Sequence, residues 1–408
     1  GLSDSYMHLF DSAGGAVAQD DDSGGDLDSQ LRFTPDETGL FYVQASSYDA
    51  SFSGSYQLSV TAVETLTQMD DIYVGTAGPN EVWALGGNDT LEGGLGNDTL
   101  LGSGGSDTIN YSALADINFI DVVLNADNDT VVTVDGGDND TINAIENVIG
   151  SSGNDQITGD SLANTLAGEG GNDTLVGGAG DDTLLGGEGE DTIVSGVGND
   201  TFDGGTGVDT VDYSVAAGGV LVDLSQSMAV NDGDGGTDIL ENIENVTGTT
   251  NGDILTGNFL ANRLVGQAGD DVIRGGTGSD DLQGGAGFDE VRFDDLVDGG
   301  ITLDIDAGTA LYSGDSSTDT LSGFDLYYAT NQDDSLIGST ADDTVFGLAG
   351  SDTFISSQGA DRLDGGVDFD TIDYSTQGGI NFISVALNAE NNVVVTVNGG
   401  TNDIINNI

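Results

Sequence analysis

Gly177-Gly178-Ala179-Gly180-Asp181-Asp182-Thr183-Leu184-Leu185 is followed without a break by Gly186-Gly187-Glu188-Gly189-Glu190-Asp191-Thr192-Ile193-Val194. Both nine-residue stretches place glycine at positions one, two and four, an acid at six and an aliphatic residue at eight. Gly93-Gly94-Leu95-Gly96-Asn97-Asp98-Thr99-Leu100-Leu101 and Gly284-Gly285-Ala286-Gly287-Phe288-Asp289-Glu290-Val291-Arg292 fit the same pattern. A period kept over many copies marks a stacked repeat, in which each unit is too small to bury its apolar face alone.

Walking outward in steps of nine gives four blocks. The first carries its sixth-place acids at Asp89, Asp98 and Asp107, after a degenerate turn at Asn80. The second runs through Asp155, Asn164, Asp173, Asp182, Asp191, Asp200 and Asp209. The third reads Asp253, Asn262, Asp271, Asp280 and Asp289, and the fourth Asp334, Asp343, Asp352, Asp361 and Asp370.

Glycines at one, two and four suit a tight turn that needs positive φ and presents its carbonyls inward. A ring of carboxylate and carbonyl oxygens suits a hard cation such as Ca²⁺ rather than zinc. The eighth residue, such as Leu100, Ile109, Leu175 or Ile372, is the one expected to be buried in each short strand, contributing about 1.5–3 kcal/mol. Ordering nine backbone residues costs about 9–18 kcal/mol before ladder hydrogen bonds are counted. Strands stack about 4.8 Å apart, so unscreened carboxylates on successive coils repel by about 3–4 kcal/mol near a protein surface. A bound divalent ion turns that penalty into attraction, which predicts folding coupled to metal binding.

Composition points the same way. The 408 residues hold 72 Asp and Glu against five Lys and Arg, for a formal net charge of −67, together with 67 Gly and no Cys. Such a chain repels itself without counter-cations. Nucleic acid and anionic membrane need basic contacts and are excluded as direct partners. No run of about 18 apolar residues is present, so no membrane-inserting helix is expected. The absence of Cys rules out a disulfide framework and thiolate metal sites.

The nonapeptides resemble the RTX, or hemolysin-type, calcium-binding family over residues from about 70 to the end. The resemblance implies an all-β chain built as a parallel β-roll, with two nonapeptides per coil and Ca²⁺ between turns two repeats apart. It further implies that sixth-place carboxylates and glycine-turn carbonyls are the ligands. The paired candidates are then Asp89 with Asp107, Asp173 with Asp191, Asp182 with Asp200, Asp191 with Asp209, Asp271 with Asp289, Asp334 with Asp352, and Asp352 with Asp370. Turns centred on Asn80, Asn164 and Asn262 lose charge and are expected to be weak or empty. Multiple Ca²⁺ ions are the implied cofactor, and export from a bacterium the implied localisation.

Each block ends on an aromatic residue, Tyr111, Tyr213, Phe293 or Tyr374, where the next glycine belongs. Alternating segments follow at Phe119-Ile120-Asp121-Val122-Val123-Leu124, Val220-Leu221-Val222-Asp223-Leu224 and Ile301-Thr302-Leu303-Asp304-Ile305, and read as strands. The expected organisation is roll blocks at 64–110, 150–212, 248–292 and 329–373, with β-rich spacers at 111–149, 213–247 and 293–328 and a truncated copy at 374–408. Residues 1–63 have a different texture. Asp4-Ser5-Tyr6, Phe10-Asp11-Ser12, Asp20-Asp21-Asp22-Ser23-Gly24, Phe33-Thr34-Pro35 and Gly39-Leu40-Phe41-Tyr42-Val43 resemble part of a bacterial pre-peptidase C-terminal domain, which implies a partial β-sandwich.

His8 is the only histidine and has no second nitrogen or thiol ligand. No zinc-protease helix, nucleophile elbow or phosphate loop is present in the sequence, so no catalytic residue is assigned and the stretch is expected to be non-catalytic. Three functions fit: a calcium-dependent folding and spacer region of a large secreted bacterial protein, the non-catalytic C-terminal region of an exported protease or lipase, or the stalk of a cell-surface adhesin.

Overall fold

The computed structural model describes residues 5–10, 16–20, 42–47, 63–114, 117–125, 128–135, 137–355, 357–375, 383–387, 393–397 and 402–408. Every regular element among them is a β-strand. The chain divides into two units, 1–61 and 62–408.

In the first unit, Ser5–Phe10 pairs antiparallel with both Ala16–Asp20 and Tyr42–Ser47. His8 stands in the middle strand, opposite Gln19 and Gln44. A sandwich requires a second sheet. The strands expected at 30–33 and 56–60, and the acids Asp21 and Asp22, lie outside the described residues, so the described part of this unit is one three-stranded sheet.

The second unit is the roll. Strands of three or six residues alternate between two parallel sheets, so within a block each strand pairs with the strands eighteen residues before and after it. In the first sheet Gln156–Thr158, Thr174–Val176, Thr192–Val194 and Thr210–Asp212 pair in order. Thr165–Gly170, Thr183–Glu188 and Thr201–Thr206 do the same in the second. The second residue of each strand faces inward, as the period-two geometry of a strand allows. Leu166, Leu175, Leu184, Ile193, Phe202 and Val211 are completely buried, and with their counterparts they form one continuous core along the roll.

The glycines have two separate jobs. Places two and four have positive φ, as at Gly178 (99°) and Gly180 (120°). Place one does not. There the constraint is space: a Cβ on Gly186 would collide with Asp191 Oδ2 and with the Gly204 carbonyl oxygen. The expectation of positive φ at all three places therefore fails at the first, where glycine leaves room for oxygens. Place two accepts other residues in the left-handed region, including Glu169 (72°), Gln267 (73°) and Leu348 (73°).

The spacers do not interrupt the roll. In the first, Ile120–Val123, Thr130–Val134 and Asp138–Asn143 form an antiparallel meander within the first sheet. Its last strand pairs in parallel with Thr99–Leu101 of the coil before, and its first with Gln156–Thr158 of the coil after. Across the core a single strand, Thr108–Asn110, spans the same interval and pairs directly with Asn147–Ile149. The meander at 221–241 lies in the second sheet, that at 301–322 in the first, and that at 383–406 in the second again. Successive meanders thus fall on opposite sheets.

Candidate metal centres

The turns between strands form two columns, one ahead of each sheet, and the sixth-place acids line them. Within a column, each backbone N–H at place six donates to the Oδ1 of the acid one coil further on. Asp173 donates to Asp191, and Asp191 to Asp209, both at 2.8 Å. In the other column Asp182 donates to Asp200 at 2.8 Å and Asp89 to Asp107 at 2.8 Å. This bond fixes the side chain and turns its second oxygen inward.

That second oxygen is the decisive feature. The Oδ2 atoms of Asp89, Asp98, Asp107, Asp173, Asp182, Asp191, Asp200, Asp209, Asp271, Asp280, Asp289, Asp352 and Asp370 are buried and have no hydrogen-bond partner. Those of Asp107, Asp173, Asp191, Asp209, Asp271, Asp352 and Asp370 lie over the place-one glycine of their own turn, beside a carbonyl oxygen of the next coil. Built on Gly168 and Gly266, a Cβ would meet Asp173 Oδ2 and Asp271 Oδ2, and would lie 2.7 Å from the Gly186 and Gly284 carbonyl oxygens. A buried anionic oxygen without a donor costs several kcal/mol, and at neutral pH a row of them calls for cations. The donors are all oxygen and are spaced for a hard ion that takes backbone carbonyls as readily as carboxylates. Among the described residues no three His, Cys, Asp or Glu side chains gather into a metal-holding group, so an ion between these turns would draw part of its shell from backbone carbonyls.

Burial raises several of these carboxyls. Asp173 and Asp352 are pushed up to about 7, Asp98, Asp107, Asp182, Asp209 and Asp271 to about 6, and Asp280 to about 8, in each case chiefly by desolvation.

The other five sixth-place aspartates expected from the sequence are closed differently. Asp155 accepts the Ser151 N–H (2.6 Å) and hydroxyl (2.9 Å), and Asp253 accepts those of Thr249 at 2.6 and 3.0 Å. Asp334 is held likewise by Thr330, and Asp343 by Ser339. At Asp361, Oδ1 accepts the Asp343 N–H and Oδ2 the Ser357 hydroxyl. The asparagine turns are also closed by protein groups, through the coil before: Asn164 Nδ2 donates to the Glu146 carbonyl at 2.8 Å and Asn262 Nδ2 to that of Glu244 at 2.7 Å.

A pattern follows at the start of each block, where the first turn of each column is satisfied by protein hydrogen bonds alone. The pairs are Asp155 with Asn164, Asp253 with Asn262, and Asp334 with Asp343. In the first block Asp71, bound by Thr67, and Asn80, bound by Thr76, play this part. Of the seven aspartate pairs expected from the sequence, only Asp334 with Asp352 includes one of these closed turns.

Four acids of the columns escaped the nonapeptide reading. Asp140, Asp238, Asp319 and Asp403, at the last strands of the meanders, accept the N–H of Asp98, Asp200, Asp280 and Asp361 at 2.9–3.2 Å. In three of them the second oxygen accepts from the block-ending tyrosine: the hydroxyls of Tyr111, Tyr213 and Tyr374 donate to Asp140, Asp238 and Asp403 at 3.0, 3.0 and 2.8 Å. Phe293 has no hydroxyl to offer Asp319. The signal was present in Asp140-Thr141-Ile142, Asp238-Ile239-Leu240, Asp319-Thr320-Leu321 and Asp403-Ile404-Ile405, each a place six-seven-eight triplet stripped of its glycines.

No curated protein matches the chain in sequence. Among solved structures, an extracellular lipase, LipA from Serratia marcescens, aligns at 16% identity and a TM-score of 0.17, covering 63% of this chain and 38% of the lipase. The family model for the RTX calcium-binding nonapeptide repeat, described as four copies, matches in overlapping windows that span residues 67–117, 149–211, 256–291 and 319–372. Those windows take in half of the chain, and the protein belongs to the RTX calcium-binding nonapeptide repeat family.

Proposed function

We propose that this chain is a calcium-dependent folding and spacer region of a secreted protein, with Ca²⁺ held between turns one coil apart. The observation that carries this reading is the row of buried, partnerless Oδ2 oxygens facing inward carbonyls. The holding pairs are Asp89 with Asp107, Asp173 with Asp191, Asp191 with Asp209, Asp182 with Asp200, Asp271 with Asp289, and Asp352 with Asp370. The ion supplies charge compensation and a rigid link between coils. The protein residues orient the carboxylates through the N–H to Oδ1 bonds and keep water out with the core beneath.

Where calcium is scarce, the unpaired carboxylates keep the chain open. Where it is plentiful, as outside a cell, the roll closes. Calcium titration followed by circular dichroism tests this. A cooperative gain of β signal with Ca²⁺, and much less with Mg²⁺, which takes a smaller and stricter octahedral shell, is expected. A full β signal in chelator would refute the proposal.

A further inference from the structure

Three junctions between nonapeptide blocks and spacers hold buried oxygens that face a following coil with no nonapeptide turn. Asp107, Asp209 and Asp289 are the last place-six acids of their columns before a spacer, and each is completely buried with Oδ2 partnerless. The coil that follows has no glycine turn. In its place stand Ala144-Ile145-Glu146, Asn242-Ile243-Glu244 and Gly323-Phe324-Asp325.

These triplets reproduce a nonapeptide turn in fewer residues. Ala144, Asn242 and Gly323 take positive φ of 50°, 52° and 72°. Their carbonyl oxygens point over Gly102, Gly204 and Gly284, the place-one glycines of the preceding turns. A Cβ on Gly102 would meet both the Ala144 oxygen and Asp107 Oδ2, and one on Gly204 would meet the Asn242 oxygen and Asp209 Oδ2. On Gly284 the same probe meets the Gly323 oxygen and lies 3.0 Å from the Asp289 carboxyl carbon. The spacer acid then fills the place-six role. Glu146 Oε2 accepts the Asp107 N–H at 2.7 Å, Glu244 Oε2 that of Asp209 at 2.9 Å, and Asp325 Oδ2 that of Asp289 at 3.1 Å. The turn is short, and the extra methylene of glutamate makes up the reach at two of the three junctions.

The triplet is also clamped in register. Two successive N–H groups, those of Glu146 and Asn147, donate to the Asp107 carbonyl at 3.1 and 2.9 Å. Glu244 with Asn245, and Asp325 with Leu326, do the same to Asp209 and Asp289. The fourth copy begins alike: Asn407, with φ of 49°, sets its carbonyl beside Asp370 Oδ2 over Gly365.

We infer that each junction is a calcium site of a second kind, closed by Asp107 with Glu146, Asp209 with Glu244, and Asp289 with Asp325, and completed by the carbonyls of Ala144, Asn242 and Gly323. The inference rests on calcium binding by the nonapeptide turns and extends the metal columns across the spacers. Its consequence is that each block is tied to the spacer after it by a shared ion.

The test is the number of Ca²⁺ ions bound by the full chain, measured by equilibrium dialysis with metal analysis. Glu146→Gln, Glu244→Gln and Asp325→Asn retain an oxygen that accepts the clamping N–H and remove the charge, replacing the other oxygen by an NH2 that cannot bind a cation. One ion fewer per substitution, and three fewer in the triple variant, is expected, with the circular dichroism of the calcium-saturated protein unchanged. Should the triple variant fail to fold, Glu146→Gln alone decides by the same count. A variant that binds as many ions as the unsubstituted chain, at the same affinity, overturns the junction sites and leaves the nonapeptide sites standing. An unsubstituted chain that binds no calcium overturns the underlying reading instead.

Discussion

A carboxylate whose one oxygen is tied to a backbone N–H and whose other is buried without a donor is the unit on which this protein is built. Without metal, burial favours its protonated form. Asp173 and Asp352 rise to about 7, and Asp98 and Asp271 to about 6. A folded pKa above the unfolded value of about 4 means that the associated stability is fully present below pH 4 and is lost as pH climbs through about 6 to 7. In chelator the roll is therefore expected to be more heat-resistant at pH 4 than at pH 8, and melting curves at the two pH values check it. With calcium the order reverses, because protons compete for the same oxygens.

Asp191 belongs to two pairs, with Asp173 and with Asp209, whereas Asp155 is closed by Ser151. Asp191→Asn should cost about two bound ions and Asp155→Asn none, as read by calcium dialysis; equal losses would contradict the assignment. Sequence alone identified the sixth-place acids, because a nine-residue period is visible in one dimension. It could not separate the two classes, because the distinction is whether a Ser or Thr four residues earlier reaches back, and that depends on the turn's closure in three dimensions. Place-one glycine was misread for the same reason: the oxygens it makes room for include one from a residue eighteen positions away.

At the scale of the element, each block opens with turns closed by protein hydrogen bonds and, apart from the Asp361 turn, continues with turns whose Oδ2 has no partner. This order suits folding that begins at a locally satisfied turn and propagates coil by coil, as in other one-dimensional repeats. Thr249→Val removes the hydroxyl on Asp253 Oδ1 but leaves the Val220 N–H that also donates there at 2.8 Å. The expected effect is a loss of about 1–3 kcal/mol with the calcium count unchanged, measured by denaturant melts in calcium beside dialysis. The spacer strands were legible from their alternation, and Ile120–Val123, Leu221–Asp223 and Ile301–Asp304 fall within the segments it marks. Their meander was not. Its end strands pair with residues far along the chain, such as Asp98 with Asp140, and no local pattern states which strand will be the neighbour.

For the whole roll, strand parity sets where the meanders fall. Between one meander and the next lie eight, six and six single strands, all even numbers, so alternation between two sheets places successive meanders on opposite sides. Each meander gives its sheet three strands where the other has one, about 10 Å of extra width. Opposite placement balances that excess. Deleting one nonapeptide, residues 177–185, keeps every later turn in register but brings the first two meanders onto the same sheet. The roll should then curve, and small-angle scattering should show its largest dimension falling by more than the 2–3 Å that half a coil occupies; a drop no greater than that would show parity to be incidental.

Beneath all of this lies the claim that cations hold the roll together, and amide hydrogen exchange of the full chain at neutral pH, with excess Ca²⁺ and then with chelator, tests it most directly. The ladder amides from Thr165 to Asp212 should exchange slowly with calcium and at nearly unprotected rates once it is withdrawn. Equal protection in both conditions would mean that the buried carboxylates are stabilised by something other than metal, and would contradict the account.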